Sequence, residues 1–180
     1  LSGTNANLSN IDFSTLGGGY GQGVDFRNVN LSGVNLSNSN LQGAQFNAQT
    51  IFSDGTNGAN LSGTNASISS LNGQVDLRGV NLDSVNLSGS GLGQAQFSNT
   101  TVFSDGSGVG VNLSGTGAMI STLTGQVDLR GVNLTGVSLV GSTLDQAQFN
   151  AQTTFSDGTN GANLSGTNAN LSNIDFSTLG

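Results

Sequence analysis

The chain has 180 residues and a net charge of −7, carried by ten Asp against three Arg, and it contains no Lys, Glu, His, Pro, Cys or Trp. Charged residues make up 7% of it, where an ordinary soluble domain has about 25%. Without imidazole, thiol or ammonium groups there is no general base, thiolate nucleophile or soft metal ligand of the usual kind, so an enzyme is not expected.

The basic residues Arg27, Arg78 and Arg130 are too few to neutralise a phosphate backbone, which argues against a nucleic-acid partner. No apolar run approaches the roughly 18 residues of a membrane span, and Leu1 opens no signal-peptide pattern, so membrane insertion is not expected either. The Asp residues are spread along the chain and give a diffuse field rather than an acidic tail. Absence of Cys rules out a disulfide framework. The chain does not begin with Met, and it reads as a segment of something longer.

In chain order, residues 1 to 17 read LSGTNANLSNIDFSTLG and lead into the glycine run LGGGYGQG, Leu16 to Gly23. From Val24 the chain falls into fives: VDFRN, VNLSG, VNLSN, SNLQG, AQFNA, QTIFS. An Asp-Gly stretch, DGTNG at Asp54, follows, then ANLSG at Ala59, an extra Thr64-Asn65 pair, and LNGQ at Leu71. The fives resume at Val75 as VDLRG, VNLDS, VNLSG, SGLGQ, AQFSN, TTVFS, and DGSGVG at Asp105 and LTGQ at Leu123 interrupt again. A third run from Val127 reads VDLRG, VNLTG, VSLVG, STLDQ, AQFNA, QTTFS, before DGTNG at Asp157. The interruptions, rich in Gly and Asn, suit tight corners or short protruding loops.

Three periods are nested here. The fives lie within units that restart after 51 and 52 residues, as VDFRNVNL at Val24 returns as VDLRGVNL at Val75 and Val127. Above them is a super-repeat of 163, since residues 164 to 180 reproduce residues 1 to 17 letter for letter. The expected organisation is one continuous domain over 1–180, with units 1–60, 61–112 and 113–163 and a restart at 164–180. Counting fives, the super-repeat would close in about eight turns and return each loop to the same side.

A period of five fits neither regular element. On an α-helix each step of five turns a side chain by about 140°, and on a straight strand it changes face at every step. A chain that bends once per repeat can point every central residue inward: Phe26, Leu31, Leu36, Leu41, Phe46 and Ile51, with their equivalents from Leu77 to Val102 and from Leu129 to Phe149. The small residue two places earlier has the same strand parity and shares the inward face. The Asn, Asp or Gln between them, and the two polar residues after, are expected to face solvent.

Small residue, Asn or Asp, Leu or Phe, then two polar residues: this pattern resembles the pentapeptide-repeat family. Eighteen fives in the three runs carry the resemblance, with ANLSN at Ala6 and Ala169 and IDFST at Ile11 and Ile174 beside them. It implies an all-β fold, a right-handed quadrilateral β-helix of about nine coils with four fives to the turn. Leu and Phe of successive coils would stack inside, and neighbouring coils would lie roughly 4.8 Å apart.

Asp54, Asp105 and Asp157 open the Asp-Gly loops and are the candidate metal ligands. With Asn57, Asn160 or loop carbonyls they offer Ca²⁺ a hard oxygen site, against the alternative of a turn whose Asp caps its own backbone. No other cofactor, and no small-molecule substrate, is expected. Each Arg follows an Asp by two residues (Asp25 and Arg27, Asp76 and Arg78, Asp128 and Arg130), which predicts an exposed ion pair of small net worth or a contact between neighbouring fibres. Tyr20 is either a lateral contact or a solvent-exposed tip. The many Asn-x-Ser/Thr strings follow from the repeat itself and carry no message about glycosylation.

The function these features favour is structural: an extracellular or cell-surface filament, most plausibly bacterial, built by continuous or head-to-tail solenoid stacking, its partner being itself or neighbouring fibres. The repeat that restarts where the super-repeat ends, the lack of a polar capping segment and the mostly neutral outward positions all point that way. The alternative is a binding protein, since the family that the chain resembles includes DNA mimics that occupy DNA gyrase. A third reading, ice binding by a flat Thr/Asn face, lacks a regular Thr-x-Thr ladder.

Overall fold

The structure is a computed structural model, and it describes residues 6–11, 13, 23–64, 66–107, 109–157 and 159–172. Tyr20 with the rest of LGGGYGQG before Gly23, Asn65 of the inserted pair, and the IDFST string at Ile174 lie outside the described residues.

One five illustrates the local logic. Val34 and Leu36 are fully buried, and Asn35 between them points outward. The Asn35 side-chain oxygen accepts from the Ser37 N–H at 3.0 Å, an Asx turn that bends the chain just past the Leu. The Leu36 carbonyl then accepts from Ser39 N–H at 3.1 Å, and Asn38 at the third place of that turn has φ 55°, as a type II turn requires. The same pair of bonds recurs at Asn30 with Ser32, Asn81 with Asp83, Asn86 with Ser88 and Asn133 with Thr135. Asn or Asp stands at the second place of a five because its side chain makes the corner. Amide-to-amide bonds along the axis occur at Asn35 with Asn7 and Asn47 with Asn28, both at 3.3 Å. There too the oxygens of Asn7, Asn35 and Asn47 accept within their own turns.

The outward residues carry the backbone pairing. Asn35 donates its N–H to Ala6 O at 3.0 Å, and its own carbonyl accepts from Leu8 N–H at 2.8 Å. On the other side, Asn60 N–H reaches Val34 O and Leu36 N–H reaches Asn60 O. Such parallel bridges form columns, Asn7–Asn35–Asn60–Asn81–Val102 and Ser67–Asn86–Asn112–Asn133–Thr154 among them, with partners 19 to 28 residues apart. Asp25 pairs with Gln45, and the corners of Asn30, Asn35 and Asn40 lie between, so four repeats complete that circuit. The chain is all-β in this sense, built of short parallel bridges with no helix among the described residues.

Inside, Leu31, Leu36, Leu61, Leu82, Leu87, Leu113 and Leu134 are wholly buried, each contributing roughly 1.5–3 kcal/mol of apolar burial. Phe13, Phe26, Phe46 and Phe52 follow one another with ring centroids 5.9, 5.5 and 5.7 Å apart. The inner face also holds hydroxyls. Ser39 donates to Leu8 O at 2.7 Å, Ser90 to Ile68 O at 2.7 Å and Ser142 to Ile120 O at 2.9 Å, each reaching the circuit before its own.

Three expectations are corrected. Ile51 and Val102, expected inward, are 45% and 37% exposed, while the next residues Phe52 and Phe103 are 1% exposed. The cause is a longer corner after Phe46: Asn47 accepts from Gln49 N–H, Thr50 N–H bonds Asn47 O, and the extra residue shifts parity by one. Secondly, Ser32, Asp83 and Thr135, expected to face solvent, are buried. Asp83 is covered because its carboxylate accepts the Asp105 N–H of the next circuit's loop at 2.9 Å.

The third correction concerns where equivalent residues land. Asn30, Asn81 and Asn133 hold the same place in successive units, yet Asn81 stands in the column of Asn35, and Asn133 in that of Asn86. Likewise Asn60, Asn112 and Asn163 stand in three different columns. Each unit therefore advances by one repeat, and the Asp-Gly loops face three sides. Three such steps do not complete a four-cornered circuit, so the loops are not returned to one side.

Candidate functional site

The Asp-Gly stretches at Asp54 and Asp157 are small hairpins that leave one column and enter the next. Ser53 and Gly58 form an antiparallel bridge, Ala59 N–H closes onto Phe52 O at 2.8 Å, and Ser156 with Gly161 repeats the bridge. The turn is held by its Asp. Asp54 Oδ1 accepts from Thr56 N–H at 2.8 Å, Thr56 Oγ1 at 2.7 Å and Asn57 N–H at 2.7 Å, and Oδ2 accepts from Asn57 Nδ2 at 3.1 Å. Asp157 does the same with Thr159 N–H and Oγ1, both at 2.8 Å, and Asn160 N–H at 2.7 Å. Asp105 accepts from Ser107 N–H at 2.7 Å.

Donors aimed at a carboxylate favour its charged form. The Asn57 N–H, then the Thr56 hydroxyl, hold the Asp54 carboxyl far below the usual range. Asn160 N–H and the Thr159 hydroxyl bring Asp157 down to about 2. Ser107 lowers Asp105 through both its side chain and its backbone. As to metal binding, Asp54, Asp105 and Asp157 each occupy a separate loop, and among the described residues no three acidic side chains gather as a metal cluster.

The Asp–Arg corners are bidentate. Asp76 Oδ1 accepts from both the Arg78 backbone N–H and Nε at 3.0 Å, and Oδ2 takes Arg78 Nη2 at 2.7 Å; Asp25 with Arg27 and Asp128 with Arg130 repeat the geometry. The Asp thus serves as corner cap and ion-pair partner at once. Arg27 lowers the Asp25 carboxyl to about 2. Burial pushes Asp128 up, but the hydrogen bonds from Arg130 outweigh it and the net shift is downward.

These two features, read separately in the sequence, meet in space. A Cβ built on Gly55 would come within 2.7 Å of Arg78 Nη2, and one on Gly106 would run into the Arg130 guanidinium. Ser53 Oγ donates to Arg78 O at 2.6 Å, and a Cβ on Gly58 would collide with the Gly79 backbone. On Gly110 it would come within 2.7 Å of Val132 Cγ2. The first two hairpins therefore sit on the Asp–Arg corner of the following circuit, Asp54 over Asp76–Arg78 and Asp105 over Asp128–Arg130. Side-chain exposure of the Arg follows: 50% for Arg27, which has no such hairpin over it among the described residues, against 41% for Arg78 and 35% for Arg130.

The corner, its Asn or Asp cap and the inward Leu or Phe are the elements that recur where the family model Pentapeptide repeats (8 copies) matches, over residues 22–48 and 125–151. Over those residues the chain is similar to pentapeptide repeats. No curated protein matches it. The run from Val75, outside the matched residues, keeps the same letters at the same places and the same bonds.

The residues that sequence reading passed over are the inward hydroxyls of the long corners. Thr50 Oγ1 donates to Phe26 O, Thr101 to Leu77 O and Thr153 to Leu129 O, all at 2.9 Å. Their signal was the Thr that precedes each of IFS, VFS and TFS by one place. A surface hollow of about 670 Å³ between Asn38, Asn40, Gln42 and Ser67 has no ionisable lining among the described residues.

Proposed function

We propose that this chain is a structural element, a right-handed quadrilateral β-helix that stacks continuously or head to tail into an extracellular or cell-surface filament of a bacterium. The observation that carries the reading is the constancy of the joint between circuits. From Asn7 to Asn163 one circuit meets the next through parallel pairing of outward residues, and the unit that supplies those residues restarts at Leu164 with the letters of Leu1. A rod whose growth rule is the same at every joint is suited to bearing load along its axis.

In this reading the protein's partner is itself, with no nucleic acid, membrane, small-molecule substrate or catalytic role. The Asp-Gly loops are capped turns rather than Ca²⁺ sites, because their carboxylates are already engaged by their own N–H and hydroxyl donors. Mimicry of DNA on gyrase has less support: Asp25, Asp76 and Asp128 are each neutralised by an Arg two residues on. Negative-stain electron microscopy of the purified protein tests the proposal. Unbranched rods longer than one chain support it, and discrete globular particles at all concentrations would sink it; a supercoiling assay with gyrase tests the rival.

A further inference from the structure

The sequence holds three Asn-Gly steps, at Asn57, Asn72 and Asn160, and the fold treats them differently. In two of them the Asn is tied down. Asn57 Nδ2 donates to Asp54 Oδ2 at 3.1 Å and to Thr56 Oγ1 at 3.3 Å, and Gly58 behind it is pressed on the Gly79 backbone. Asn160 donates its N–H to Asp157 Oδ1 at 2.7 Å and its Nδ2 to Thr159 Oγ1 at 3.4 Å, while Gly161 is bridged to Ser156.

Asn72 is held far less. It is exposed, on a corner whose ends Leu71 and Val75 are buried, and its side chain makes no hydrogen bond among the described residues. A parallel bridge joins it to Gly91, and one bond of that bridge is complete, Gly91 N–H to Leu71 O at 2.7 Å. The second, from Gly73 N–H, is not made in hydrogen-bond geometry among the described residues. At the like bridge of Ser67 with Asn86 that place is filled, by Ile68 N–H on Asn86 O at 2.8 Å. Nor, among the described residues, does anything lie within 4 Å of a Cβ built on Gly73. The Asp-Gly steps are restrained in their turn: Gly55 N–H donates to Ser53 Oγ and Gly106 N–H to Ser104 Oγ, both at 3.0 Å.

We propose that Asn72–Gly73 is a site of spontaneous covalent modification, where the chain turns its own amide into a carboxylate with water as co-reactant. The Gly73 nitrogen gives its proton to hydroxide and attacks Asn72 Cγ. The new N–C bond closes a five-membered imide as the Cγ–Nδ2 bond breaks, and Nδ2 takes a proton from water and leaves as ammonia. A second water adds to one imide carbonyl and opens the ring, so that position 72 becomes aspartate or isoaspartate; hydroxide is restored, and the net change is one water consumed and one ammonia released. Isoaspartate inserts a methylene into the main chain between Leu71 and Val75, and either product adds a negative charge to this corner.

The following unit contains the control. Leu123-Thr124-Gly125-Gln126 builds the same corner, with Gly125 at φ 78° against 82° for Gly73. Val127 N–H bonds Gly125 O at 3.1 Å just as Val75 N–H bonds Gly73 O, yet Thr124 has no amide to lose.

The test is mass spectrometry of the full chain held folded at mildly alkaline pH, wild type beside Asn72→Thr. Digestion after Arg and fragmentation that separates aspartate from isoaspartate locate each acid formed. Acid is expected at Asn72 roughly tenfold or more faster than at Asn57 or Asn160, whose hydrogen bonds must break first. Asn72→Thr, the letter that the next unit carries, should melt as the wild type does and lose that signal. Unfolded in urea, the three steps should converge in rate. Conversion at Asn57 or Asn160 as fast as at Asn72 in the folded chain would overturn the proposal, as would an Asn72 that stays intact while the urea-unfolded chain reacts. A preference for Asn72 that persists in urea would assign it to neighbouring letters and remove the structural basis.

Discussion

The Thr101 hydroxyl donates a 2.9 Å hydrogen bond to the carbonyl of Leu77, one circuit earlier on the inner wall. The bond ties two circuits together from inside, where no water competes. Thr101→Val keeps the shape and adds apolar surface, so burial alone would make it stabilising. The expected outcome is the reverse, a loss of about 1 kcal/mol, because the hydrogen bond goes with the hydroxyl. Urea denaturation of the two proteins decides the sign.

The shifted register at the long corner predicts a sharp contrast between neighbours. Phe52→Ala should cost about 3–5 kcal/mol, as for other fully buried aromatics, while Ile51→Ser one place earlier should change stability by no more than about 0.5 kcal/mol. Equal losses in chemical denaturation would restore the unshifted frame with Ile51 inside.

The Asn at the second place of each five acts through its oxygen. Asn133 accepts from Thr135 N–H at 3.1 Å, so Asn133→Ala should lower stability by about 1 kcal/mol. Asn133→Asp should be well tolerated, since Asp25, Asp76 and Asp128 cap the same turn elsewhere. Melting temperatures of the two variants check the difference; if Ala and Asp behaved alike, the cap would be unimportant.

Acid should weaken the fold in a defined window. Asp25 and Asp157 are held at about 2 in the folded chain, below the value near 3.8 of the free side chain. A carboxyl whose folded value is depressed adds stability above its unfolded value, and that stability is lost as pH falls through the folded one. Melting followed from pH 6 downward should be flat to about pH 4 and fall between pH 4 and pH 2. Asp157→Asn, which keeps the accepting oxygen without the charge, should shrink the fall.

Calcium offers a separate check on the hairpins. With Asp54 and Asp157 saturated by their own loops, EDTA and millimolar Ca²⁺ should leave the melting curve unchanged. A rise with Ca²⁺ that disappears in Asp54→Asn would return these loops to the status of metal sites.

The inward Leu, the bend every five residues and the all-β character were legible because the repeat writes them in plain spacing. Ile51 was misplaced because Ile is as apolar as Phe52, and only the Asn47 and Thr50 bonds of the longer corner reveal the slip. The meeting of Gly55 with Arg78 was hidden for a different reason: the contact spans 23 residues, a distance fixed by the length of a circuit rather than by any local pattern.

Because the unit and the circuit are incommensurate by one repeat, a tag inserted in each hairpin would not line up along one edge. The tags would face three successive sides like the treads of a spiral stair, so that sideways contacts are not confined to one edge.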